Sequence, residues 1–293
     1  MHLKEKDTEA MNRKLLSFFL LLLLINASLV FSQGRISIAS FNLRVFGQTK
    51  AAKEPVMDII ADIIRHFDIV AVQEIRDKEE TAIYKLLSKV NRDRNEYALV
   101  VGPRLGRTSS KEQYAIFYRT SLLEMVNSPK IYDDVGDPFE REPLLAMFKV
   151  KNGNFDFILA DIHTKPEDAI KEISLLPSVM QYAGSLFEDP DVLCLGDWNA
   201  DGSYFNENAF LSVFPQDHYF LIIPNSADTS VASKSNSYDR MVATATMKED
   251  WTGEWGVYRF DAAEGFGNRG VKPADISDHY PVWAIFYADK DSD

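Results

Sequence analysis

Ile276-Ser277-Asp278-His279-Tyr280-Pro281-Val282 places an acid and a histidine directly before an apolar run that continues to Phe286 and Tyr287. Alone, an Asp-His pair at the mouth of a strand is no more than a turn motif. Three other segments share the construction. Val72-Gln73-Glu74 ends an apolar run in a carboxylate, Ala160-Asp161-Ile162-His163 ends one in a histidine, and Leu195-Gly196-Asp197-Trp198-Asn199 ends one in an acid and an amide. Short apolar runs bounded this way read as buried strands, and polar groups repeated at their ends imply that those ends gather in one place.

Outward from these four segments, residues Arg35 to Asn42 alternate apolar and polar as a strand does. Pro55 to Phe67 repeats apolar residues at helical spacing before the strand Asp68 to Gln73, and Glu79 to Val90 reads as a second amphipathic helix. Further strands are expected at Tyr97–Val101, Tyr114–Tyr118, Leu144–Val150, Phe155–Ala160, Val192–Leu195, Arg240–Ala245, Tyr258–Phe260 and Val282–Tyr287. A long helix should begin near Pro166, which suits a first helical turn, whereas Pro177 should kink it. Many strands with few long helices predict an α/β (α+β) class: a four-layered sandwich of two packed, mainly antiparallel β-sheets flanked by helices.

The first 32 residues have a different character. Arg13 and Lys14 precede an almost unbroken apolar run from Phe18 to Ile25, followed by small and polar residues up to Ser32, the pattern of a cleaved secretory signal. Leu15 to Phe31 is slightly short of the roughly 20 residues a membrane span needs, and Met11 makes a more natural start than Met1. Residues 33–293 are then expected to form a single domain, secreted or periplasmic, with no membrane attachment after cleavage. The lone cysteine, Cys194, lies within an apolar run, so no intrachain disulfide is possible and packing must carry stability. The leader holds four basic and three acidic residues, so its removal takes the formal charge from −12 to −13. Such a surface opposes tight non-specific binding of a polyanion, and any polyphosphate substrate must meet a local basic patch or a bound cation. No stable protein partner is implied, and a monomer is expected.

The residue set suits phosphodiester hydrolysis. Phosphoryl oxygens repel a nucleophile, so such a site needs a hard cation to neutralise charge and a base to activate water. Asn42, Glu74, Asp197, Asn199 and Asp278 are hard oxygen donors at the ends of apolar runs, suited to Mg2+ or Mn2+. A histidine that passes protons is held in one tautomer by a carboxylate on its other nitrogen, and Glu112 and Asp239 are free for that task. His2, His66 and His218 are assigned structural or solvent roles.

The order of these motifs resembles the endonuclease/exonuclease/phosphatase superfamily and, within it, the secreted deoxyribonuclease I family. The resemblance spans Ile36 to Phe286. It is carried by Ser40-Phe41-Asn42-Leu43-Arg44-Val45-Phe46-Gly47, Gln73-Glu74-Ile75-Arg76-Asp77, Leu105-Gly106-Arg107 with Lys111-Glu112, Arg141-Glu142-Pro143, His163-Thr164, Gly196-Asp197-Trp198-Asn199-Ala200-Asp201, Ser226-Ala227-Asp228-Thr229, Tyr238-Asp239-Arg240 and Ser277-Asp278-His279-Tyr280-Pro281-Val282. It implies that His163 with Glu112, and His279 with Asp239, form two acid-base pairs, and that Asn42, Glu74, Asp197 and Asp278 hold divalent metal while Asn199 meets the scissile phosphate. It further implies DNA as substrate, cut to 5′-phosphate and 3′-hydroxyl ends, with Arg44, Arg76, Arg107 and Arg141 as contacts to the backbone and minor groove.

The chain departs from the family at several points. Ser110 stands where many members have a tyrosine that stacks in the minor groove. Gly202 and Asn236 replace the two cysteines that clamp the loop after Asp197. Asp201 and Asp228 lie near positions associated with structural Ca2+, but Lys234 falls where a neutral ligand is expected, and an ammonium beside a cation is unfavourable. Two rival readings share the scaffold: a secreted sphingomyelin or phospholipid phosphodiesterase, with Trp251-Thr252-Gly253-Glu254-Trp255 as a membrane-dipping hairpin, and a catalytically silent binding protein.

Overall fold

The computed structural model describes residues 34–94 and 96–292, so the expected leader, residues 1–32, lies outside the described residues. Strands β1 (Arg35–Phe46), β2 (Ile69–Ile75), β3 (Tyr97–Val101) and β4 (Gln113–Arg119) build most of one sheet. The chain then lays down β5 (Leu123–Met125), β6 (Lys130–Ile131), β7 (Leu144–Val150), β8 (Asp156–His163), β9 (Val192–Asp197), β10 (Tyr219–Leu221) and β11 (Asp239–Thr244) as a second sheet. It returns to the first with β12 (Trp251–Val257) and β13 (Val282–Tyr287). The strand orders are β12-β13-β1-β2-β4-β3 and β10-β11-β9-β8-β7-β5, with β6 also on β7. Each sheet is antiparallel except for one central parallel pair, β1 with β2 and β8 with β9. Helices supply both crossovers: α1 (Gln48–Ala51) and α2 (Glu54–Arg65) in the first, α4 (Ala169–Phe187) in the second, while α3 (Ala82–Val90) follows β2.

Side-chain alternation makes this a four-layer structure. Ile36, Ile38, Ile69, Ala71, Ala284 and Phe286 face Phe148, Phe157, Leu159, Leu193, Leu195 and Met241 across the space between the sheets. The intervening residues face outward. Ala39, Phe41, Val70 and Val72 meet Ile60, Ile63, Ile64, Ile83 and Leu86 of α2 and α3, whereas Ile158, Ala160 and Cys194 meet Ile173, Leu176 and Met180 of α4. Because both faces of the central strands are buried, these strands read in sequence as continuous apolar runs.

The same alternation locates the polar end. Continuing along the inter-sheet face past Ile38, Ala71, Leu159 and Leu195 gives Ser40 and Asn42, Gln73, Asp161 and His163, and Asp197. The space between the sheets therefore changes from apolar to polar at the C-terminal ends of β1, β2, β8 and β9. Antiparallel neighbours deliver Glu112, Asp239 and Asp278-His279 to the same end, because their N-terminal ends lie there. Gln73 Nε2 donates to Asp161 Oδ1 at 2.6 Å, joining the two sheets. Burial pushes the Asp161 carboxyl well above the usual carboxylate range, against which Gln73 acts only partly.

Three expectations are refined. The strand placed at Tyr258–Phe260 falls earlier, as β12, because Trp251–Val257 has β13 to pair with, whereas Phe260–Ala262 turns as a 3-10 helix. Trp251 lies against Phe220 with ring centroids 5.5 Å apart, so it covers the sheet in a bulged edge strand rather than tipping a protruding hairpin. The helix expected near Pro166 begins as a 3-10 turn at Pro166–Asp168, and α4 then runs 19 residues with Pro177 inside it.

Gly196 shows how closely β8 and β9 approach. Its φ is +139°, and a Cβ there would lie 1.8 Å from the Ile162 carbonyl oxygen. Gly196→Ala should therefore cost about 3 kcal/mol or more of unfolding free energy in urea titrations; a change below about 0.5 kcal/mol would show that the strands can part without penalty.

Candidate active site

Two histidine-carboxylate pairs face each other across the polar end. His163 Nδ1 is 2.8 Å from Glu112 Oε2, and His279 Nδ1 is 2.8 Å from Asp239 Oδ2. Both carboxylates are at most 1% exposed, and each fixes the tautomer and direction of its ring. The free Nε2 atoms converge on a single atom. Asp197 Oδ2 lies 3.5 Å from His163 Nε2 and 3.4 Å from His279 Nε2. It also accepts from Asn42 Nδ2 at 2.9 Å, a contact that crosses from the second sheet to the first.

The electrostatics follow from this packing. Burial raises the Glu112 carboxyl, but the hydrogen bond and charge of His163, with Arg141 and Arg76, outweigh it and leave the group at about 2. Burial alone would lower His279; the carboxylates of Asp239 and Asp197 reverse that and hold the imidazole well above its ordinary value. Asp197 is likewise desolvated, yet the two histidines, the Asn199 amide and Asn42 keep it below the usual carboxylate range.

The oxygen donors expected to hold a cation form a contiguous set. Asn42 Nδ2 reaches Glu74 Oε1 at 3.2 Å as well as Asp197, and Asn42 Oδ1 accepts the Arg44 amide at 2.8 Å. In this orientation Asn42 bridges the carboxylates, and offering its oxygen to a metal requires the amide to turn. Glu74 Oε2 takes the Val45 amide at 2.8 Å. Asp278 Oδ1 is shielded from solvent, lacks a hydrogen-bond partner and sits 4.0 Å from His279 Nε2. Asp197, Asp239 and His279 can also present one ligand atom each within 4.8 Å of one another. An orphaned carboxylate oxygen among hard donors fits a divalent cation of the Mg2+ or Mn2+ type. Asn199 Nδ2 donates to the Thr164 carbonyl at 3.0 Å, and its own amide to Asp197 Oδ1 at 3.0 Å.

Backbone strain marks the same place. Arg44, Val45, Glu74 and Asn199 all have φ between +44° and +60°. For non-glycine residues this costs about 1–2 kcal/mol each, and such strain concentrates at functional sites.

Of the four arginines, three border the pairs. Arg76 is 2.7 Å from Glu112 and 3.4 Å from Glu74, and Arg44 is 3.3 Å from Asp278. Arg141 is only 7% exposed; its guanidinium donates twice to the His163 carbonyl, at 3.0 and 2.9 Å, and lies 3.3 Å from Glu112. Arg107 is held by Asp137 at 2.9 Å and by the Phe139 carbonyl at 2.6 Å. The residues suggested for Ca2+ are each taken up by protein donors. Asp201 accepts from Asn236 at 3.1 Å and from the Ser237 amide at 2.8 Å, while Asp228 is 3.3 Å from Arg259. At Gly202 and Asn236, where the resemblance implies a cysteine pair, Asn236 instead donates to the neighbouring Asp201 and so joins the two ends of the loop.

Sequence reasoning missed two groups behind the site, the buried Glu172 and the half-buried Lys50. Glu172 of α4 accepts the amides of Glu140 and Lys165 at 2.9 and 3.0 Å, fixing the loops beside Arg141 and after His163. Its signal was an acid on the apolar face of an amphipathic helix. Lys50 had no such signal; its ammonium meets three backbone carbonyls.

The sequence profile of the endonuclease/exonuclease/phosphatase family matches residues 39–279. The chain belongs to that family. Deoxyribonuclease-1 of Bos taurus is 34% identical over 260 residues, covering 84% of this chain and 90% of that protein. The Homo sapiens protein of the same name is 33% identical over 261 residues, covering 85% and 92%. The chain is thus a deoxyribonuclease I-like member and an enzyme of the phosphodiesterase class. Among solved structures, a family protein from Bacteroides thetaiotaomicron aligns with a TM-score of 0.61 at 17% identity, covering 86% of this chain and 98% of that one. D. rerio TDP2 complexed with single strand DNA product aligns at 0.60 with 14% identity, covering 86% and 99%. At these identities the likeness is one of fold.

The Glu112 pair carries a pH signature. Its folded pKa lies below the ordinary 4.5, so its contribution is complete above about pH 4.5 and is lost as the pH falls toward 2. The stability gap between the parent and Glu112→Gln, about 3 kcal/mol at neutral pH, should close across that window in urea unfolding at stepped pH. A gap that stays constant would contradict the pairing.

Proposed function

We propose that the chain is a secreted, divalent-metal-dependent endonuclease that hydrolyses DNA to 5′-phosphate and 3′-hydroxyl ends. The observation that carries this reading is the pair of carboxylate-oriented imidazoles whose Nε2 atoms meet at Asp197, in a chain about one-third identical to proteins named deoxyribonuclease-1. Water attacking phosphorus in line needs a proton acceptor on one side and a proton donor to the departing oxygen on the other. Two imidazoles fixed through Nδ1 present both from one cleft. A cation held by Glu74, Asp197 and Asp278, with Asn42 beside them, would neutralise the phosphoryl oxygens. Asn199 supports that phosphate from the Asp197 side, and Arg44 and Arg76 add local positive charge to an otherwise acidic protein. Arg141 acts from behind, holding His163 and Glu112. The lipid-directed rival has less support: Trp251 packs against Phe220, leaving Trp255 as the exposed tryptophan of that segment.

His163→Ala and His279→Ala should each reduce plasmid nicking about 10²–10⁴-fold while leaving the folded far-UV spectrum unchanged. Near-parental turnover in either variant would overturn the assignment. EDTA should abolish nicking of plasmid and Mg2+ or Mn2+ restore it, with no phosphocholine released from sphingomyelin in the same buffer. Nicking that persists in EDTA would remove the metal from the reading.

A further inference from the structure

Lys50, in α1, lies three residues beyond the motif at residues 40–47, and its ammonium reaches both that motif and the segment 276–282. Nζ donates to the carbonyls of Leu43, Arg44 and Ile276 at 2.8, 2.7 and 2.9 Å. An ammonium has three N–H donors, and all three are spent. Two of the acceptors belong to the bulge at the end of β1, where Arg44 and Val45 adopt φ of +44° and +51°. The third ends the short helix Pro273–Ile276, which leads directly into Ser277, Asp278 and His279. Close by, Ser277 Oγ donates to the Asn42 carbonyl at 2.7 Å.

Both strained residues sit in the bulge next to Asn42, and Val45 is β-branched and exposed, a poor residue for positive φ; their amides are held by Asn42 Oδ1 and Glu74 Oε2, which leaves the Leu43 and Arg44 carbonyls to Lys50. The bulge turns adjacent carbonyls toward one point, where without a cation they would repel each other and lack donors. Burial, followed by the Arg44 guanidinium, lowers the Lys50 ammonium to about 8, and Asp278 and Glu74 act against that, so the group keeps its proton at neutral pH.

We propose that Lys50 is a positioning residue of the active site: by tying the Leu43 and Arg44 carbonyls to that of Ile276, it sets the distance between the bulge carrying Asn42 and Arg44 and the turn carrying Asp278 and His279. The role rests on the nuclease reading above for its catalytic consequence. Arginine cannot replace it, because a planar fork cannot serve three carbonyls that converge on one atom.

The test compares the parent with Lys50→Met, Lys50→Arg and Lys50→Cys, the last before and after alkylation with 2-bromoethylamine, which rebuilds a lysine-like ammonium. Cys194 is fully buried and out of the reagent's reach in the folded protein. Met, Arg and unmodified Cys should show faster amide exchange in residues 43–46 and 276–279, about tenfold weaker Mn2+ binding by electron paramagnetic resonance, and reduced kcat for plasmid nicking with KM near that of the parent. Alkylated Cys should recover all three. A folded Lys50→Met with parental exchange in both segments and parental Mn2+ affinity would overturn the proposal, as would failure of alkylation to restore either. If the parent itself nicks no plasmid, the nuclease reading falls, and exchange still decides whether Lys50 ties the two segments.

Discussion

One carboxylate oxygen, Asp197 Oδ2, organises this molecule's polar end. It lies 3.5 and 3.4 Å from two imidazole nitrogens and accepts an amide hydrogen from the opposite sheet at 2.9 Å. A buried charge in such a place is unfavourable unless partners surround it, and here they come from β1, β8 and the segment before β13. These partners can surround it only when the strand ends of the two sheets are in register, so the site lies where the sheets meet. Asp239 and Glu112 extend the arrangement outward, each holding one imidazole so that its second nitrogen faces inward.

The architecture gives a reason for this convergence. In each sheet the C-terminal ends of the parallel strands and the N-terminal ends of their antiparallel neighbours lie on one edge, and the strand period of two keeps alternate residues on the inter-sheet face. Polar residues placed at the ends of otherwise apolar strands therefore meet across the gap without further design. Strain at Arg44, Val45, Glu74 and Asn199 is the accompanying cost, offset by the hydrogen bonds those residues' neighbours make.

Much of this could be read in the amino-acid sequence, for a physical reason. Doubly buried strands produce apolar runs, and an acid or histidine closing such a run stands out, so His163, Asp197, Asp278 and His279 were visible together with the two-sheet class. Glu112 and Asp239 became specific only through the family resemblance, since nothing local distinguishes them from other loop acids. The left-handed bulges were invisible, because none of the four strained residues is glycine. Lys50 was hidden for a related reason: its partners are backbone carbonyls, which leave no side-chain signature. Tyr258–Phe260 shows the opposite case, an apolar stretch of strand character with no strand to pair with, because Trp251–Val257 already occupies that side of β13.

Under the proposed nuclease reading, acidic overall charge and a polyanionic substrate are reconciled locally, by Arg44 and Arg76 at the rim and by the oxygen donors around Glu74 and Asp278 that would hold a cation. The most direct measurement is anomalous diffraction from a crystal soaked in Mn2+. The account predicts a strong peak in the cleft between His163 and His279, bounded by Glu74 and Asp278. A crystal in which Mn2+ occupies only outlying acids such as Asp134 and Asp137, with none beside Glu74, would contradict it.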